Sequence, residues 1–259
     1  MLGAVAGDII GSVHEFLQGK TMDFPLFVEA SRFTDDTVLT IAVADCLLTG
    51  ASYVDKFHEY TRTYPDRGYG TGFWLWVESG SREPYNSWGN GAAMRVSPVG
   101  FALPTLEEVL REAKRSAEVT HNHPEGIRGA QATAAAVFLG RQGESKTRIR
   151  EFIQQKFGYD LNRSIADIRP TYSFNESCQG TVPEAIIAFL ESSDYEETVR
   201  LAISLGGDAD TLACIAGGIA EAFYGGVPTS IAECAMARLD DSLRGTVECF
   251  SERYGRNTA

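Results

Sequence analysis

Phe33-Thr34-Asp35-Asp36-Thr37, followed directly by Val38-Leu39-Thr40-Ile41-Ala42-Val43-Ala44, reads as the start of a buried α-helix. Thr34 takes the N-cap, where its hydroxyl accepts an otherwise unpaired backbone N–H. Two acids in the first turn suit the positive end of the helix dipole. For this stretch alone, capping is a sufficient explanation. The run behind it stays apolar on nearly every side through Leu48, which places the helix at the centre of the molecule.

The arrangement recurs near the other end of the chain. Gly206-Gly207-Asp208-Ala209-Asp210-Thr211 precedes Leu212-Ala213-Cys214-Ile215-Ala216, and its glycines let the backbone turn tightly and approach a ligand. If the two helix starts converge, Asp35, Asp36, Asp208 and Asp210 crowd like charges into one place. Hard divalent cations relieve that repulsion. An all-oxygen set of Asp and Thr suits Mg²⁺, with Mn²⁺ or Ca²⁺ as alternatives, and two cations would balance the four aspartates.

The rest of the chain reads as helices and loops. Leu2–Val13 is apolar, with Gly3, Gly7 and Gly11 on one stripe where another helix can come close. Each glycine costs a helix about 1 kcal/mol relative to alanine, so close packing is expected in return. Asp8 inside this run is expected as a buried, hydrogen-bonded carboxylate. His14-Glu15-Phe16 follows where the helical pattern stops, and a loop glutamate such as Glu15 has a solvated reading as well as a catalytic one. Ser52, Thr105 and Asp194 are read as caps for the helices behind them, and Thr181-Val182-Pro183-Glu184 as the start of another over Ala185–Leu190. Gly140, Gly143 and Ser145 are expected in a turn. Gly68-Tyr69-Gly70-Thr71-Gly72, Ser87-Trp88-Gly89-Asn90-Gly91 and Phe174–Gly180 form irregular loops. The second of these, small residues with one Trp, suits a phosphate and a sugar or base. Of His121 and His123, one is expected to contact a ligand. No stretch alternates polar and apolar residues over a strand length, so the fold is expected to be all-α.

The totals narrow the function. A chain of 259 residues suffices for one domain with a large core, and none of it reads as a linker. A formal net charge of −12 argues against a broad nucleic-acid or anionic-membrane surface, without excluding one anionic ligand held by metals and amides. The five cysteines are scattered with no CxxC, and three lie in apparent helices, so buried thiols in a reducing cytosol are expected. The first residues lack the basic start and long apolar core of a signal peptide, and no apolar run is long enough to span a bilayer. A cytoplasmic monomer is the expectation.

Gly3–Asp8 with Glu15, Phe33–Thr37, Gly68–Gly72, Gly89–Val96, His121 with Gly129, and Gly206–Gly218 occur in this order. Together they resemble the ADP-ribosylglycohydrolase family, that of dinitrogenase-reductase-activating glycohydrolase and the ADP-ribosyl-acceptor hydrolases. The resemblance runs from Gly3 to about Gly226. It implies a single compact orthogonal helical bundle over residues 1–259, with a central cleft that binds two Mg²⁺ ions and hydrolyses the bond between ADP-ribose and its acceptor. It also implies Thr34, Asp35 and Asp36 as one ligand cluster and Asp208, Asp210 and Thr211 as the other. Glu15 matches a mobile glutamate beside the metals, and the general base is expected to be Glu15 or a metal-bound aspartate, Asp36 or Asp210. Gly70 and Ser87–Gly91 match positions that hold the diphosphate and distal ribose, and His121 one near the pyrophosphate or adenosine. Trp88 stands where some relatives have Tyr, and Ala209 where Thr is frequent. Two alternatives remain at this stage. An isoprenoid-synthase-like enzyme would want its aspartates one turn apart on a helix face, and a non-catalytic relative would not need every ligand position filled.

Overall fold

A computed structural model describes residues 1–15 and 19–255 of the chain; Phe16 lies outside them. The helices are α1 (Leu2–Gly11), α2 (Asp35–Thr49), α3 (Tyr53–Thr63), α4 (Thr71–Glu78), α5 (Gly91–Met94), α6 (Ser97–Ala102), α7 (Leu106–Ala117) and α8 (Pro124–Arg141). They continue as α9 (Lys146–Phe157), α10 (Ile165–Ile168), α11 (Cys178–Glu191), α12 (Tyr195–Ile203), α13 (Ala209–Tyr224), α14 (Thr229–Met236) and α15 (Asp241–Tyr254). The fold is all-α, and among the described residues the sole β pairing is an isolated antiparallel bridge between Gly89 and Ser177. No described helix is long and apolar enough to cross a membrane.

Local side-chain chemistry starts four of these helices where the sequence predicts. Thr34, Ser52, Thr105 and Asp194 each accept a backbone N–H from two or three residues ahead. Helix α11 differs from expectation. Its cap is Ser177, whose side chain accepts from Gly180 N at 3.1 Å, so Thr181–Glu184 lie inside the helix instead of opening it. Asn175 Oδ1 fixes that cap by accepting from the Ser177 amide at 2.9 Å and its hydroxyl at 2.6 Å. Pro183 then removes one backbone bond early in the helix. Gly140 also belongs to a helix, α8, in place of the expected turn, and a side chain there would meet Phe223 of α13 at 3.3 Å. All five cysteines are free thiols on helices; Cys46, Cys178 and Cys214 are buried as expected, whereas Cys234 and Cys249 are exposed on the outer faces of α14 and α15.

Helix α13 runs through the core against α1, α8, α11 and α12. Its contact with α1 is backbone on backbone. A Cβ added at Gly7 would stand 2.6 Å from the Ala213 carbonyl carbon, and one at Gly11 would stand 2.8 Å from Asp210 N. Only glycine permits that approach. On a second face of α1, buried Asp8 reaches the start of α2. Its Oδ2 accepts from the amides of Thr34 at 3.0 Å and Thr37 at 3.1 Å and from the Thr37 hydroxyl, while Oδ1 accepts from the Thr34 hydroxyl at 2.7 Å. One short helix therefore ties the start of α2 to the start of α13.

Candidate active site

The two acidic helix starts meet across a cleft of about 380 Å³. Thr211 Oγ1 donates to Asp36 Oδ2 at 3.3 Å, joining residues 175 positions apart. Thr34, Asp35, Asp36, Asp208, Asp210 and Thr211 all line this cleft. Glu15, from the turn after α1, joins them: it, Asp208 and Asp210 offer carboxylate oxygens that lie within 4.8 Å of one another. Positive φ at Gly206 (75°) and Gly207 (70°) allows the chain to swing from α12 into the Asp208 turn, a backbone state that favours glycine.

The electrostatics are those of a crowded acidic cluster that could hold a cation. Burial first, then neighbouring carboxylates, pushes Asp35, Asp36 and Asp210 well above the ordinary carboxylate range. Burial also raises Asp208, against the pull of its hydrogen bonds. Glu15 is half-buried and is pushed up to about 7 by burial, then by Asp208 and Asp8, with Arg32 opposing. One oxygen, Asp36 Oδ1, is buried without a hydrogen-bond partner among the described residues. A buried carboxylate oxygen left bare is costly unless something positive meets it. The hard oxygen donors, the mutual repulsion and the bare oxygen fit divalent cations.

The expected ligand-contact residues divide. Gly70, Ser87, Gly89, Asn90, Gly91 and His121 line the cleft. Trp88 does not; it is 52% exposed, outside the cleft wall. Asn90 turns its donors inward: its amide N–H goes to Glu176 O at 2.7 Å, and its Nδ2 to Asp208 Oδ2 at 2.7 Å and Thr181 Oγ1 at 3.1 Å. It therefore orients Asp208. His123 caps α8 by accepting from Glu125 N, which leaves His121 as the histidine of the cleft. The aromatic run after Gly72 is mainly core, with Phe73 and Trp76 buried and Leu75 61% exposed. Sequence reasoning passed over Tyr85, Arg95 and Glu176, which also line the cleft. For Arg95 a signal existed, since a lone arginine interrupts the apolar run Ala92–Val96.

The family model for ADP-ribosylglycohydrolase matches residues 1–257. The chain belongs to the ADP-ribosylglycohydrolase family. It is similar to the human ADP-ribosylhydrolase ARH3, at 30% identity over 87% of this chain and 84% of that one. It is also similar to ADP-ribosylarginine hydrolase Tri1 of Pseudomonas putida, at 25% identity over 87% of this chain and 69% of the relative. A solved structure described as an ADP-ribosylglycohydrolase-related protein complex superposes with a TM-score of 0.74 at 25% identity, covering 98% of this chain and 95% of that one. The chain is thus an enzyme of the ADP-ribosyl glycohydrolase class, which sets aside both the isoprenoid-synthase-like and the non-catalytic alternatives.

Proposed function

We propose that this cleft hydrolyses the glycosidic bond between ADP-ribose and an acceptor, with two divalent cations, Mg²⁺ or Mn²⁺, as cofactors, and that residues 1–259 work as one domain. The acceptor is a modified protein side chain, a nucleic acid or a small ADP-ribosyl metabolite. The observation that carries the reading is the meeting of two acidic helix starts, joined by Thr211 and Asp36, around a buried carboxylate oxygen with no partner among the described residues. Thr34, Asp35 and Asp36 would hold one cation, and Asp208, Asp210 and Thr211 the other. Bound there, the cations supply Lewis-acid polarisation and lower the pKa of bound water.

The chain's own groups account for the remaining chemistry. Cleavage at a ribosyl C1 passes through an oxocarbenium-like state that a surrounding of carboxylates stabilises. Glu15 stands beside Asp208 and Asp210 on a turn outside the ligand helices, half-buried and with a raised pKa. In this reading Glu15 takes the proton of the attacking water as the water oxygen bonds to C1, and passes that proton to the departing acceptor atom, which keeps the bonding pair of the broken C1 bond. Asp36 and Asp210, both buried, hold the ribose side of the site in place. Asn90 keeps Asp208 from turning away. The wall of Gly70, Ser87, Gly89 and Gly91 offers room and polar groups for the diphosphate.

The test is incubation with defined ADP-ribosylated acceptors, with Mg²⁺ and with a chelator, followed by mass identification of products. Free ADP-ribose released from at least one acceptor only when Mg²⁺ is present is the expected result. Equal release with chelator would sink the metal dependence, and no release from any acceptor would sink the activity.

A further inference from the structure

Arg95 is wholly buried, yet among the described residues it forms no ion pair. Its guanidinium lies over the Phe57 ring, 4.3 Å from the centroid. Nη2 donates to Ser116 O at 3.1 Å and to Thr120 Oγ1 at 2.8 Å, while Nε and Nη1 have no hydrogen-bond partner among the described residues. Thr120, itself fully buried, stands 2.7 Å from His121 Nδ1 through the same Oγ1. At the other edge of that ring, Nε2 has no hydrogen-bond partner among the described residues. It lies under the cleft loop, where a Cβ on Gly91 would be 3.1 Å away and one on Gly89 3.6 Å away.

Donor inventory fixes the direction of this chain. Guanidinium N–H groups only donate, so Thr120 Oγ1 accepts from Arg95. The hydroxyl has one proton of its own, and His121 Nδ1 is the acceptor within reach. Were Nδ1 to carry the proton instead, the buried Thr120 O–H would have nothing to bond, at the cost of an unsatisfied buried donor. The ring proton is thereby left on Nε2, the edge against the Gly89–Gly91 loop of the cleft. Burial, then the nearby Arg95 charge, holds His121 well below the ordinary imidazole range, so the ring is neutral.

We propose that Arg95 and Thr120 are positioning residues that hold His121 as its Nε2–H tautomer, so that it presents a hydrogen-bond donor to the diphosphate of a ligand in the cleft. The ligand part rests on the ADP-ribose reading above; the tautomer part does not. The opposite tautomer would aim a lone pair at an anion.

The chain has four histidines, so ¹⁵N-histidine labelling gives a spectrum simple enough to assign with a His121→Gln variant. In wild type the His121 shifts should show a protonated Nε2 and an accepting Nδ1. Thr120→Val should give a mixture of tautomers, and Thr120→Ser should restore the wild-type pattern. ADP-ribose affinity should fall in Thr120→Val by the inverse of the remaining Nε2–H fraction, roughly two- to fivefold, and recover in Thr120→Ser. A purely structural role for Thr120 would not tie affinity to tautomer fraction. A wild-type proton on Nδ1 overturns the proposal, as does Thr120→Val matching wild type in spectrum and affinity. If Thr120→Val does not fold, the wild-type spectrum still decides the tautomer. Failure of wild type to bind ADP-ribose would overturn the ligand reading, and the spectra distinguish that failure from failure of the relay.

Discussion

Replacing Gly7 by alanine would place one methyl group where α1 meets α13. The new Cβ would stand 2.6 Å from the Ala213 carbonyl carbon and 3.0 Å from Cys214 N. Carbon atoms at rest sit at about 3.5–4.0 Å, so the helices must part by roughly 1 Å. Backbone on the far side cannot rotate away as a side chain would. Overpacking of this kind costs about 1–3 kcal/mol, and the better helix propensity of alanine returns about 1 kcal/mol. A net loss of roughly 0–2 kcal/mol is expected. Gly245 in α15 is the control, because a Cβ there meets nothing within 4 Å. Gly245→Ala keeps only the propensity gain and should be about 0.5–1 kcal/mol more stable than wild type. Urea denaturation followed by circular dichroism measures both. If Gly7→Ala is as stable as Gly245→Ala, the close helix contact does not carry the energy assigned to it.

Wild-type Tm should rise with Mg²⁺ concentration, because the cation binds the folded state and relieves crowding among Asp35, Asp36, Asp208 and Asp210. The rise should be smaller in Asp208→Asn, and an equal rise in both proteins would place the cation elsewhere. Asp210→Ala should lose ADP-ribose binding and turnover together. Glu15→Ala should lower kcat about 10²–10⁴-fold while ADP-ribose binding largely survives; single-turnover rates and affinities for the two variants separate these roles, and wild-type turnover in Glu15→Ala would pass the base role to an aspartate. Lys146 donates to the carbonyls of Phe189 and Ser192 at the end of α11 and to the Tyr224 hydroxyl at the end of α13, so Lys146→Met should destabilise by about 1–3 kcal/mol in urea. Burial holds Lys146 down to about 8, whereas an unfolded lysine titrates near ~10.4. Between those values the unfolded chain binds more protons, so wild type should gain stability relative to Lys146→Met as pH rises. A relative loss over that window would mean the carbonyls favour the ammonium more than burial expels it.

The helix starts were legible because capping is local chemistry: Thr34, Ser52, Thr105 and Asp194 act on amides two or three residues away. Both acidic clusters were legible for the same reason, and Asp8 was recognisable as a charge inside an apolar run. Helix α11 was misread because Pro183 imitates a start signal, while the true cap depends on Asn175 folding back onto Ser177. Asn90 sits in a loop that reads as a phosphate cradle, yet its side chain serves Asp208, 118 positions away. The path from Arg95 through Thr120 to His121 likewise exists only once distant elements pack. No periodicity carries such information.

The seat of α1 also has a consequence during synthesis. Gly7 waits for Ala213, about 200 positions later, before its face can be covered. At roughly 5–20 residues per second, a ribosome needs ~10–40 s to make that stretch. Throughout that interval the decapeptide Leu2–Gly11, apolar except for Asp8, has no partner helix to shield it. Helix α1 is made long before the helix that houses it, and a growing chain must keep it from sticking to its neighbours on a polysome.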